Sequence, residues 1–145
     1  MPRILSAAST LLALACLAAC AAPADLDLSL TRPTIEHRYV VALQPPATPA
    51  AINQMHSWLV RVHTPAGTPI HGARIAVDGG MPQHGHGLPT TPRVTRELAD
   101  GTYVIDGMKF SMTGWWEIKL AIDAADGADK VTFNTVVASS TAAGR

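Results

Sequence analysis

Trp116, Ile118, Leu120 and Ile122 alternate with Glu117, Lys119, Ala121 and Asp123, the clearest period-two pattern in the chain. Successive side chains of an extended strand point to opposite faces, so this segment predicts a strand with one face in a core. Shorter versions recur. In Glu36–Leu43, His37, Tyr39 and Val41 alternate with Arg38, Val40 and Ala42; in Met55–His63, Trp58, Val60 and Val62 share a face. Residues 71–78 put Ile75 and Val77 inward, Val94–Leu98 and Thr102–Asp106 form a pair, and Val131–Val137 turns Val131, Phe133 and Val137 inward. Turn formers separate the runs: three prolines in Gln44–Pro49, Pro65 and Gly67 before Ile70, Asp100-Gly101, and Asp126-Gly127. About seven short strands at near-regular spacing, with no convincing helix beyond the N-terminus, predict an all-β domain. The expected architecture is an immunoglobulin-like antiparallel β-sandwich, with a small barrel as the competing arrangement.

The ends carry a different signal. Arg3 precedes an apolar run from Ile4 to Ala15 and then Leu17-Ala18-Ala19-Cys20, the layout of a secretory signal peptide over residues 1–19. Leu-Ala-Ala-Cys resembles a bacterial lipobox, which makes Cys20 the expected lipidation site; Cys16 fits less well, because Ala13 stands where a large aliphatic residue belongs. An ordinary cleavage after Ala19 or Ala22, without lipid, is the plainer alternative. Residues 20–33 read as a flexible tether, although Leu26, Leu28 and Leu30 alternate; residues 34–138 form the domain, and 139–145 a frayed tail. The expected location is the bacterial cell envelope, as a periplasmic lipoprotein held to the membrane through Cys20. Ala21, where an Asp would favour the inner membrane, leans towards the outer one.

Composition adds exclusions. Both cysteines lie in or beside the signal, so the mature domain has no disulfide or thiolate site and must rely on its core. Removing residues 1–19 takes away Arg3 and no acid, which leaves a formal charge of −1. Nothing in that balance suggests a nucleic-acid surface.

The candidate chemistry sits in Gly79–Pro89, Gly-Gly-Met-Pro-Gln-His-Gly-His-Gly-Leu-Pro. His84 and His86 share a face if the backbone is extended, and imidazole suits copper, zinc, nickel and iron. The soft thioether of Met81 biases that choice towards copper, especially Cu(I). The plain alternative is a glycine-rich turn with solvated histidines. Met108 and Met112 flank Phe110 on one face of an extended segment; Met108 reads first as core, while Met112, beside Thr113-Gly114, is open between core and ligand. The expected metal ligands are Met81, His84, His86 and Met112, with Met108 and His56 as possible additions. Trp115 reads as a lid or surface aromatic, and Asp78 as the one carboxylate close to the loop. No Gly-x-Ser-x-Gly elbow, His-Glu-x-x-His pair or phosphate-cradling loop occurs, so an enzyme is not expected.

Several segments together resemble the YtkA-like/FixH group of small exported domains: His56-Ser-Trp, Gly67-Thr-Pro-Ile, Gly72-Ala-Arg-Ile, Met81-Pro-Gln-His-Gly-His-Gly, Gly101-Thr-Tyr, Phe110-Ser-Met-Thr-Gly-Trp-Trp and Glu117. The resemblance covers about residues 52–137 and implies an immunoglobulin-like sandwich. FixH proteins are membrane-anchored and associated with assembly of copper-dependent cytochrome oxidase, so it also implies copper handling, with a copper-dependent oxidase or another copper protein as partner. The chain differs in lacking the FixH transmembrane helix, for which a lipid would substitute. The expectation is a lipid-anchored copper-binding or copper-delivery protein; the alternative is a lipid-tethered protein-interaction module without metal.

Overall fold

The structure is a computed structural model that describes residues 21–139. The expected signal peptide, Cys20 and the tail from residue 140 onward lie outside the described residues.

The alternating segments become strands, and the apolar member of each alternation goes inside. Strands β2 (Val40–Gln44), β3 (His56–His63), β7 (Thr102–Met108) and β6 (Arg93–Glu97) form one layer in that order. Strands β4 (Arg74–Met81), β8 (Gly114–Ala124) and β9 (Gly127–Val137) form the other, and every pairing is antiparallel. This is the four-plus-three strand order of a constant-type immunoglobulin sandwich. Seven strands were expected, and two short ones are added. Three-residue β1 (Thr31–Pro33) pairs with β2, and two-residue β5 (His86–Gly87) pairs with β4.

Burial follows the sequence pattern. Trp58, Val60 and Val62 of β3 face Trp116, Ile118, Leu120 and Ile122 of β8 across a core that also holds Tyr39, Tyr103, Phe110 and Phe133. Val131, Phe133 and Val137 are buried as expected, and Val77 is half-buried. Fully burying side chains of this size contributes about 1.5–3 kcal/mol each. Such a core offsets the chain's conformational entropy without a disulfide.

The layers touch at both edges. Ala76 of β4 pairs with Arg93 of β6 at one edge. At the other, the Ile35 amide donates to the Lys130 carbonyl at 2.9 Å and Arg32 donates to the Thr132 carbonyl at 2.6 Å. Two expectations change here. His37 lies in the turn before β2, with φ 57, and is not part of a strand. Thr31–Pro33, expected in the tether, is an edge strand.

Candidate metal centre

The Gly79–Pro89 segment is mostly hairpin and only partly loop. Strand β4 continues through Gly79 and Gly80 to Met81, the chain reverses over residues 82–85, and β5 returns with Met81 opposite His86 and Gly80 opposite Gly87. The reversal is closed by the His84 and Gly85 amides, both donating to the Met81 carbonyl, at 3.1 and 3.0 Å. Gly85 takes a left-handed φ of 66°, which favours glycine. A Cβ on Gly79 would sit 2.2 Å from the Glu117 carbonyl oxygen, and one on Gly80 would sit 2.4 Å from that of His86. Gly79 therefore lets β4 lie close against β8, and Gly80 lets β5 close on β4.

This turn brings the two imidazoles together. Their ring centres are 5.9 Å apart and their planes differ by 30°. An extended His-x-His was the expected cause of their closeness; the observed cause is the turn at Gly85. Both histidines are exposed. Met81 is only 1 % exposed, yet directly opposed residues of an antiparallel pair project to the same face with Cβ atoms about 5 Å apart. Met81 therefore lies beside His86, under the hairpin, with its methyl group against Gly114.

Trp116 forms the wall behind them. It is fully buried, meets His86 edge-on at 5.8 Å, and donates its indole N–H to the Met112 carbonyl at 3.0 Å. Met112 is 41 % exposed and so does not fill the core. Sequence reasoning placed Trp116 in the core but missed that it joins the histidine hairpin to the Met112 loop.

His56 and Met108 lie deeper. They are register partners on β3 and β7, and Met108 is completely buried. His56 accepts a hydrogen bond from the Trp58 indole at 2.8 Å through Nδ1, while its Nε2 is buried without a partner. Burial pushes the His56 pKa down. Phe110 and Trp116 stand between His56 and His86, with successive ring separations of 5.2, 5.1 and 5.8 Å. His56 and Met108 are thus in the same region but behind an aromatic partition.

Strand polarity gathers these groups at one end. Strands β3 and β8 start there, and β4 and β7 finish there. All four methionines after Met1 (Met55, Met81, Met108, Met112) and His56, His84 and His86 lie at that end. His37, His63 and His71 lie at the other. Glu117, which lines a shallow pocket with His86, was overlooked as a nearby carboxylate, but it pairs with Lys119 at 3.0 Å. Asp78 instead accepts from the Gly79 amide at 2.7 Å. Among the described residues no group of three or more His, Cys, Asp or Glu could hold a metal ion.

Fold and site define a small antiparallel β-sandwich domain with a histidine- and methionine-rich end. The YtkA-like family profile matches residues 35–121 of the 145, and the chain belongs to that family. A search of curated proteins finds no match.

Proposed function

We propose that the protein binds or delivers copper at the His84–His86 hairpin, as a lipoprotein of the bacterial cell envelope anchored through Cys20. The observation that carries this reading is the pair of exposed imidazoles 5.9 Å apart, with Met81 directly opposite His86 and Met112 held beside the same tryptophan. Two imidazoles sharing one ion through nitrogens at about 2 Å place their ring centres on the order of 5–6 Å apart, and the observed separation of 5.9 Å is compatible with that. The thioethers of Met81 and Met112 are the soft donors at this end, and thioethers with imidazole suit Cu(I). His84 and His86 would be the primary ligands, Met81 and Met112 the thioether donors. Bound copper would supply a transferable soft cation. The hairpin would hold it at the surface, and Trp116 would wall it off from the core. The resemblance to FixH makes a copper-dependent oxidase or another copper protein the proposed recipient.

Cu(II) uptake decides little, because copper tops the divalent affinity order at any exposed imidazole pair. The test is competition with a chelator for Cu(I) under reducing conditions. His84→Ala/His86→Ala and Met112→Ala should each weaken Cu(I) binding, the double variant more. Met112 is the useful thioether variant because its exposure spares the fold; Met81→Ala would also open the core. An affinity too weak to compete, or one indifferent to these changes, would end the copper reading in favour of an interaction module without metal. The anchor is tested separately. Cys20→Ser should release the protein from the membrane fraction.

A further inference from the structure

Residues 21–30 do not behave as a free tether. The Ala21 carbonyl accepts a hydrogen bond from the Gln83 side chain at 2.8 Å, on the turn that carries His84. The Asp27 carbonyl accepts from Asn134 of β9 at 2.9 Å, and Asn134 is itself fixed by the Trp115 indole N–H at 2.9 Å. The Asp27 carboxylate pairs with Arg32 at 3.3 Å, and the Leu30 carbonyl accepts from the Leu43 amide at 2.7 Å. Ala22 and Leu26 are half-buried along this path. The segment runs from the histidine-methionine end towards β1, pinned near its start, middle and finish.

Cys20 is covalently the next residue, with its Cα about 3.8 Å from that of Ala21. A flexible tether over residues 21–33 could extend to about 45 Å and leave the domain free to point anywhere. The pinned segment shortens the free linkage to a single peptide unit. We propose that residues 21–30 are a docked strap that seats the Cys20 anchor against the His84–His86 hairpin, so that the metal-binding end of the sandwich rests on the bilayer surface. This deepens the lipoprotein reading and rests on it. Trp115 and Asn134, which contribute nothing to the candidate ligands, acquire a role as the clamp of the strap. Met112, exposed at the same end, would face the headgroups.

The test uses the full lipidated chain in phosphatidylethanolamine/phosphatidylglycerol vesicles containing a nitroxide-headgroup lipid as contact quencher. No cysteine follows Cys20, so one introduced cysteine takes a fluorophore uniquely. The label goes at Met112→Cys or at Pro65→Cys, the latter in the turn after β3 at the opposite end. Strand β8 has 11 residues, so the two ends lie about 35 Å apart. The expected result is strong quenching at position 112, little at 65, and a difference that shrinks several-fold when Gln83→Ala and Asn134→Ala release the strap. Equal quenching at both positions, in protein that floats with vesicles and loses flotation on Cys20→Ser, overturns the strap and leaves the lipoprotein reading standing. Flotation indifferent to Cys20→Ser, or absent altogether, overturns both.

Discussion

Asp129 shows how one side chain can fasten an edge of the sandwich. It is 6 % exposed, and its carboxylate accepts from the amides of Glu36, Arg38 and Lys130 at 3.1, 3.2 and 2.7 Å. Burial alone would raise its pKa, but hydrogen bonds from the Thr34 hydroxyl and those three amides prevail and bring it down to about 2. A carboxylate with a depressed folded pKa adds stability above its unfolded value of 3.8, and that stability is lost as pH falls towards 2. Asp129→Asn should therefore cost about 1–3 kcal/mol at pH 7. It should also flatten the stability loss between pH 4 and 2, which urea titrations at several pH values would show. His56 has the same sign in a higher window. Its lowered pKa means the unfolded chain takes up the proton more readily, so its contribution is intact above the unfolded value of 6.5 and declines below it. Subtracting the pH–stability curve of His56→Gln from that of the wild type should leave a fall that sets in as pH drops through the unfolded value of 6.5. A flat difference would mean that the His56 ring opens to solvent.

Among elements, the β4–β5 hairpin is where sequence pattern and structure part. Six of the seven longer strands were legible because each turns apolar side chains to a core, and that signal needs only local sequence. Strand β6, where only Val94 is half-buried, was legible from the Asp100-Gly101 turn that pairs it with β7. Gly79 and Gly80 carry no apolar side chain, so β4 was expected to stop at Asp78. Their strand character comes from β8, where Gly79 pairs with Ile118 and Gly80 with Glu117. The candidate residues were legible for their chemistry but not for their placement. Met81 takes its burial from β8 and the hairpin fold, Trp116 its second role from a hydrogen bond to a loop, and the strap its docking from Gln83 and Asn134. All are contacts between segments distant in sequence. The glycines give a graded test. Gly80→Ala drives a Cβ into the backbone of His86 and Gly87, so it should cost about 1–3 kcal/mol, open the Met81–His86 pairing and weaken Cu(I) binding. Gly85→Ala meets no atom within 4 Å and should cost only about 1 kcal/mol, for its left-handed φ. Urea unfolding of both variants, with the same Cu(I) competition, would show Gly80 as the more sensitive position.

At the scale of the whole molecule, the proposed metal-binding end shares only part of its residues with the core. The two layers meet through Trp58, Val60, Ile118, Leu120 and Phe133, all buried by protein. Of the four proposed ligands, only Met81 belongs to that core. A domain built this way should fold without metal, unlike small metallo-domains whose binding energy is their folding energy. Metal-free protein, kept in chelator, should therefore unfold in one cooperative transition. Cu(I) should then raise stability only by mass action, about 2.7 kcal/mol at a free concentration 100 times the dissociation constant. His84→Ala/His86→Ala should abolish that increment while leaving the metal-free transition nearly unchanged, since both side chains are exposed. Thermal unfolding of both proteins, with and without Cu(I) under reducing conditions, separates the possibilities. If the metal-free wild type lacks a cooperative transition, the site is structural and part of the core. If Cu(I) shifts both proteins equally, it binds somewhere other than the hairpin.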